Sequence, residues 1–227
     1  PSMYDIEVSD AKRPVNRKYS VLNEGMQWCT RLGIYAEEML PHLRWLHQDL
    51  GVRLAAQFAG PVDLAPILQA ALLNGDDGHA RTMHASRLLA DTIVSWGIDD
   101  EASKRFLYGA MAWALNYWMA ASALILAAQT DDHAIVKVGG NGLCFGLQLA
   151  GQAGVWQVVA APAIVGNKDA GNEAACALGT IGDSAVVDFV GLGGQCLDLA
   201  GHSAKALQAV LPADYLDRSG QFMNQKL

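Results

Sequence analysis

"AIVKVGGNGLCFGLQLAGQAGVWQVVAAP", Ala134 to Pro162, holds three short apolar runs, Ile135 to Val138, Cys144 to Leu149 and Val155 to Ala160, separated by glycines. Runs this short, rich in Val, Ile and Phe and bounded by Gly and Asn, read as strands. The "GGNG" at Gly139 to Gly142 supplies residues that tolerate positive φ, so the first two runs form a hairpin and the sheet is mainly antiparallel. The chain before Thr130 follows another period. In "EEMLPHLRWLHQDLG", Leu40, Leu43, Leu46 and Leu50 recur at three- and four-residue steps, with Gly51 as a stop signal. "GPVDLAPILQAALLNG" carries Pro66 early and Gly75 late, the asymmetry of a helix start and end. "ARTMHASRLLADTIVSWG" sets Met83, Leu88, Ile93 and Trp96 among polar residues and ends at Gly97. "SAKALQAVL" gives a last short helix.

Helices come first and the sheet second, which predicts an α+β fold: a helical region with a long buried helix, then a small mainly antiparallel sheet with flanking helices. Residues 1–25 are polar and irregular and read as an extended arm. Residues 26–129 form the helical region, and 130–227 a Gly-rich α+β region, the two making one compact unit. The long helix is "FLYGAMAWALNYWMAASALILAAQ", Phe106 to Gln129, which has no charged residue and the length to cross a bilayer. Its many alanines, its central Asn116 and the lack of flanking Lys/Arg clusters favour a helix buried in a multi-helix core instead.

Composition narrows the function. The apolar set makes up 52% of 227 residues and charged side chains 17%, a surplus that points to extensive burial and subunit contacts, hence an oligomer. A formal charge of -7 without any Lys/Arg run excludes a nucleic-acid binder, which needs clustered cations. Cys29, Cys144, Cys176 and Cys196 form no CxxC pair and read as free thiols in a reducing cytosol. No secretory signal opens the chain, so the expected location is cytoplasmic.

Three polar, Gly-rich stretches interrupt the apolar background. "NGDDGHAR", Asn74 to Arg81, has a plain reading: Gly75 closes one helix, Asp76 or Asp77 caps the next, and Asp77 pairs with Arg81 at i, i+4. It also has a chemical one, an anion site at a helix N-terminus beside proton carriers. His79 and His84 stand about 140° apart round a helix, so they do not share a metal ion, and no metal or cofactor is indicated. "VGGNGLCFG" is either a hairpin turn or a bare-backbone cradle in which Gly142 admits a ligand and the Asn141 amide binds it. In "IGDSAVVDFVGLGG", Asp183 and Ser184 precede an apolar run as a cap or as site residues. Ala185 and Val186 after Ser184 rule out the GxSxG elbow of serine hydrolases.

Together, "LNEGMQWCTRLGIYAEEMLPHLRWL", "GPVDLAPILQAALLNGDDGHAR", "NGLCFG" and "IGDSAVVDFVGLGG" resemble, in order and spacing, the segments of the YlbE/AllG-type proteins associated with oxamate carbamoyltransferase. The Gly-Asp-x-x-His-x-Arg and Ile-Gly-Asp-Ser-Ala pieces are the specific ones. The resemblance implies phosphorolysis of oxalurate to oxamate and carbamoyl phosphate, in allantoin breakdown, carried out with partner subunits. It makes Asp76, Asp77, His79 and Asp183 the catalytic candidates, and Asn74, Arg81, Asn141, Gly142 and Ser184 the substrate-binding ones. Arg81 and the adjacent helix N-terminus would hold a carboxylate or phosphate, Asn141 and Ser184 the carbamoyl group, and His79 or Asp77 would move the proton. Members of that family carry a further segment before the position of Pro1, so that part is expected to be a second polypeptide or to have been removed, with residues 1–25 lying against it. An amidohydrolase of a small carbamoyl compound and a non-catalytic assembly subunit are the other readings.

Overall fold

The computed structural model describes residues 5–22, 36–110, 112–163, 171–177, 179, 181–209 and 211–217. The first described element is a β-hairpin, β1 (Asp5–Asp10) and β2 (Arg13–Val21), paired antiparallel with Val8 opposite Lys18 and Glu7 opposite Tyr19. Here the expectation of an irregular arm is corrected. Asp10 accepts the Lys12 amide at 2.8 Å to tighten the turn, and buried Val8 packs with Ala120 of a later helix. Most of the helical start read from Met26 lies outside the described residues.

Helix α1 (Met39–Trp45) runs through a π-helical turn, Leu46–Leu50, into α2 (Gly51–Gln57). Gly51 is therefore not a stop: it is buried inside the helix with φ -59°. Burial of Leu46 and Leu50, both wholly inaccessible, outweighs the roughly 1 kcal/mol a mid-helix glycine costs. Helix α3 (Leu64–Leu73) starts as expected, with the Asp63 carboxylate accepting the Ala65 amide at 3.0 Å and Pro66 in its first turn. It ends at Gly75, whose φ of +89° is the left-handed closure. Then come α4 (Met83–Ser95), α5 (Glu101–Gly109) and α6 (Ala114–Ala127).

The single long helix expected over Phe106 to Gln129 is two helices: α5 and α6 meet at a 62° bend. The bend carries the core, because it drives Trp113, with no exposed surface, among Leu46, Leu50, Leu89, Leu107 and Val187. Among the described residues no single helix is long and apolar enough to cross a membrane; the bent α5–α6 pair meets that test only jointly, by length and composition. Asn116 is buried within α6, beside Trp118 and Ala120 on the same helix.

The sheet comprises β3 (Ile135–Asn141), β4 (Cys144–Leu149), β5 (Gln157–Ala160) and the two-residue β6 (Ile181–Gly182), all antiparallel in the order β5-β4-β3-β6. Gly139 and Gly140 belong to the strand, so the turn is tighter than "GGNG" suggested and only Gly142 adopts positive φ, +88°. Short helices α7 (Ala185–Asp188) and α8 (Gly201–Leu207) follow. Helices α6 and α7 both pack on β3, and Phe145 of β4 stacks on Phe189 just past α7. The architecture is α+β. Cys144, Cys176 and Cys196 are free thiols; Cys29 lies outside the described residues.

Candidate functional site

Closing α3 at Gly75 turns the chain back sharply, with the Gly75 amide on the Leu72 carbonyl and the Asp76 amide on that of Ala71. Asp76 and Asp77 are thereby carried inside; each is only 1% exposed. A buried carboxylate needs partners: Asp77 has two backbone amides, whereas Asp76 has a hydrogen bond on one oxygen only. One oxygen of Asp76 accepts the Ala85 amide at 2.9 Å, capping α4 from nine residues upstream, while the other lies 3.6 Å from Arg81 Nε. The ion pair expected between Asp77 and Arg81 is thus made by Asp76. Burial pushes the Asp76 carboxyl up, opposed by the Ala85 and His84 amides and then by the Arg81 charge.

Asp77 organises the loop. Its Oδ1 accepts the backbone amides of His79 at 2.7 Å and Arg81 at 3.1 Å, and its carbonyl accepts the Gly193 amide at 2.7 Å. This holds residues 77–81 against the turn after α7. There His79 Nδ1 meets Asp188 Oδ2 at 2.5 Å, and the second Asp188 oxygen accepts the Gly194 amide at 3.2 Å. The hydrogen bond to Asp188 holds the imidazole above its usual range; burial opposes it, and the charges of Asp188 and Asp77 add to it. Both side chains keep 28% of their surface exposed, so the imidazole is oriented and still reachable.

Cys196 lies buried beneath the loop. Burial, with Asp77 next in effect, pushes its thiol up to about 12, and the S–H donates to the carbonyls of Asp77 at 3.3 Å and Gly193 at 3.4 Å. Two glycines make the close approach possible. A Cβ on Gly193 would strike the Asp188 carboxylate, and one on Gly75 would come within 2.5 Å of His202 Cβ.

The remaining candidates fall into a second place. Asn141 and Asp183 line one open hollow of about 650 Å³ over β3 and β4, floored by Gly139 and Gly146 and walled by Trp156. The Asn141 oxygen is already committed to the turn, accepting the amides of Leu143 at 2.9 Å and Cys144 at 2.7 Å, so a ligand would meet its NH2 donors. Gly142 forms that turn beside Ile181 and is not part of the lining. Ser184 begins α7 without capping it through its side chain. Asn74 closes α3, donating to the Ala70 carbonyl at 2.8 Å.

Asp76, Asp77, His79 and Arg81 therefore form one group, and Asn141 and Asp183 another, and the loop residues do not line this hollow. The two groups are tied through α7, which has Asp183 just before it and Asp188 at its end. The two acids stand five positions apart in the chain. Asp188 was not marked by the sequence reading. Its only signal is a lone acid inside the apolar "AVVDFV". Among the described residues no three His, Cys, Asp or Glu side chains gather as metal ligands.

Comparisons with known proteins bear on this arrangement. A family profile described as "Oxamate carbamoyltransferase subunit AllG" matches residues 1–184. Two Escherichia coli (strain K12) proteins are similar. The uncharacterized protein YahG is 28% identical over 191 residues, 79% of this chain and 40% of its own. The oxamate carbamoyltransferase subunit AllG is 24% identical over 230 residues, 91% of this chain and 55% of its own. A crystal structure of a conserved protein of unknown function from Enterococcus faecalis V583 superposes with a TM-score of 0.83 at 21% identity, covering all of this chain and 57% of the other. The chain thus spans about half the length of these relatives. Matching the family profile over most of its residues, the chain belongs to the AllG family.

Proposed function

We propose that this chain takes part in transfer of a carbamoyl group from a small dicarbonyl anion to phosphate, oxalurate and phosphate giving oxamate and carbamoyl phosphate. Family membership supports the reaction class, and the single observation that carries a role for this chain is the His79–Asp188 pair. In this reading a phosphate oxygen attacks the ureido carbon, the C–N bond to the oxamate nitrogen breaks, and that nitrogen must gain a proton as it leaves. An imidazole whose charged form is favoured by the Asp188 hydrogen bond is a suitable donor. Asp77 fixes the loop that presents it. Arg81 is proposed to receive the phosphate, and Asn141, Asp183 and Ser184 the polar groups of the dicarbonyl anion, in an oligomer with a second polypeptide.

The test is phosphate dependence. The native assembly, given oxalurate, should yield carbamoyl phosphate only when phosphate is present. Release of free carbamate products without phosphate favours an amidohydrolase. Absence of turnover in either condition favours an assembly subunit, a reading helped by the apolar side chains exposed on and beside β5: Leu143, Val155, Trp156, Val158 and Val159.

A further inference from the structure

A second hollow, of about 460 Å³, opens between the β1–β2 hairpin, α6 and β3. We propose that it is a binding site for a small carboxylate that also bears an amide N–H, with Lys18 and Lys137 holding the carboxylate and Asp183 accepting from the amide. Lys18 stands directly opposite Val8 in the hairpin, and directly paired residues share a face. Val8 is buried against α6, so Lys18 is the half-buried cation on the inward face, and it lines the hollow. Its neighbour Arg17 engages Glu7 at 3.4 Å. Lys137, exposed on β3, lines the hollow as well.

Among the described residues neither lysine side chain makes an ion pair or a hydrogen bond. Arg81, by contrast, already has the buried Asp76 carboxylate beside it. Two ammonium groups against the one Asp183 carboxylate leave the hollow positive in a chain of net charge -7, where an anion is held only by local cations. Asp183 decides the class of guest. A fully anionic ligand such as phosphate meets it with repulsion, while an amide N–H donates to it. Trp156 and Val138 supply apolar walls suited to the flat faces of a planar amide.

Oxamate is the probe. Its choice rests on the function proposed above, but the binding is claimed for this chain whether or not it performs the transfer. Titration calorimetry on the full chain should show saturable oxamate binding, with oxalate and inorganic phosphate bound about tenfold more weakly. Lys18→Met and Lys137→Met, which keep the apolar stems and so the fold, should each weaken oxamate about tenfold, and Asp183→Ala should close the gap between oxamate and oxalate. The proposal is overturned if oxamate does not saturate the folded chain, if both lysine variants bind it as the parent does, if Arg81→Lys abolishes binding while they retain it, or if phosphate and oxalate bind as tightly. Turnover is not read, so failure of this site and failure of the transfer reaction are separable.

Discussion

His79 Nδ1 lies 2.5 Å from Asp188 Oδ2 although 109 residues separate them in the chain. One belongs to the loop between α3 and α4, the other to the last residue of a four-residue helix after the sheet. The contact therefore fastens the helical half to the Gly-rich half. It also fixes which ring nitrogen faces the carboxylate and leaves the other for chemistry.

Replacing His79 by Ala should lower turnover of the native assembly well over tenfold, the usual scale for losing a general acid. Asp188→Asn should give a smaller loss, because the imidazole remains but loses the carboxylate that favours its charged form. Steady-state rates with oxalurate and phosphate check both, with circular dichroism confirming the fold. An unchanged rate for both variants removes the pair from the mechanism.

The same pair makes stability depend on pH. The folded His79 value is raised above the ordinary imidazole value near 6.5, with the Asp188 hydrogen bond as the main cause. Its stabilisation is then fully present below about 6.5 and is lost as pH rises through the higher folded value. Urea unfolding across pH 6 to 9 should show the parent chain losing stability over this interval. Asp188→Asn should flatten the decline; an equally steep curve in that variant would assign it to another group.

Gly193→Ala and Gly75→Ala should each destabilise by about 1–3 kcal/mol, since both glycines have positive φ and no room for a methyl group. The first should also push Asp188 away from His79 and so reduce turnover, which the second need not do. Midpoints of chemical denaturation together with rates separate the two effects.

Asp76→Ala should cost about 1–3 kcal/mol, removing the acceptor for the Ala85 amide and the carboxylate beside Arg81 Nε, which is itself buried. Asp76→Asn keeps an acceptor for the cap and should cost less. Equal stability of the alanine variant and the parent would show that this carboxylate does not hold the start of α4.

Much of the fold was legible because it rests on local rules. Strand and helix periods differ, so apolar spacing separates helices from sheet, and the α+β class follows. Gly75 at the end of α3 was readable because left-handed closure favours glycine there. Local rules failed where distant packing outweighed them. Gly51 stays helical because Leu46 and Leu50 are buried beside it, and the run from Phe106 breaks because Trp113 is wholly enclosed by the core. Likewise β1 and β2 pair against α6, which no pattern within residues 1–25 announces.

The sequence by itself determined the reactive vocabulary: Asp76, Asp77, His79 and Arg81 in one loop, Asn141 at a turn, Asp183 before an apolar run. Short-range spacing and turn chemistry are enough for that. Only the tertiary structure decided which of them meet, because contacts such as His79 with Asp188 are made across more than a hundred residues by the packing of separate elements, and no periodicity in the chain encodes them. The same packing turned Lys18 inward, since the face a strand residue occupies is chosen by its partner strand and the helix beneath it.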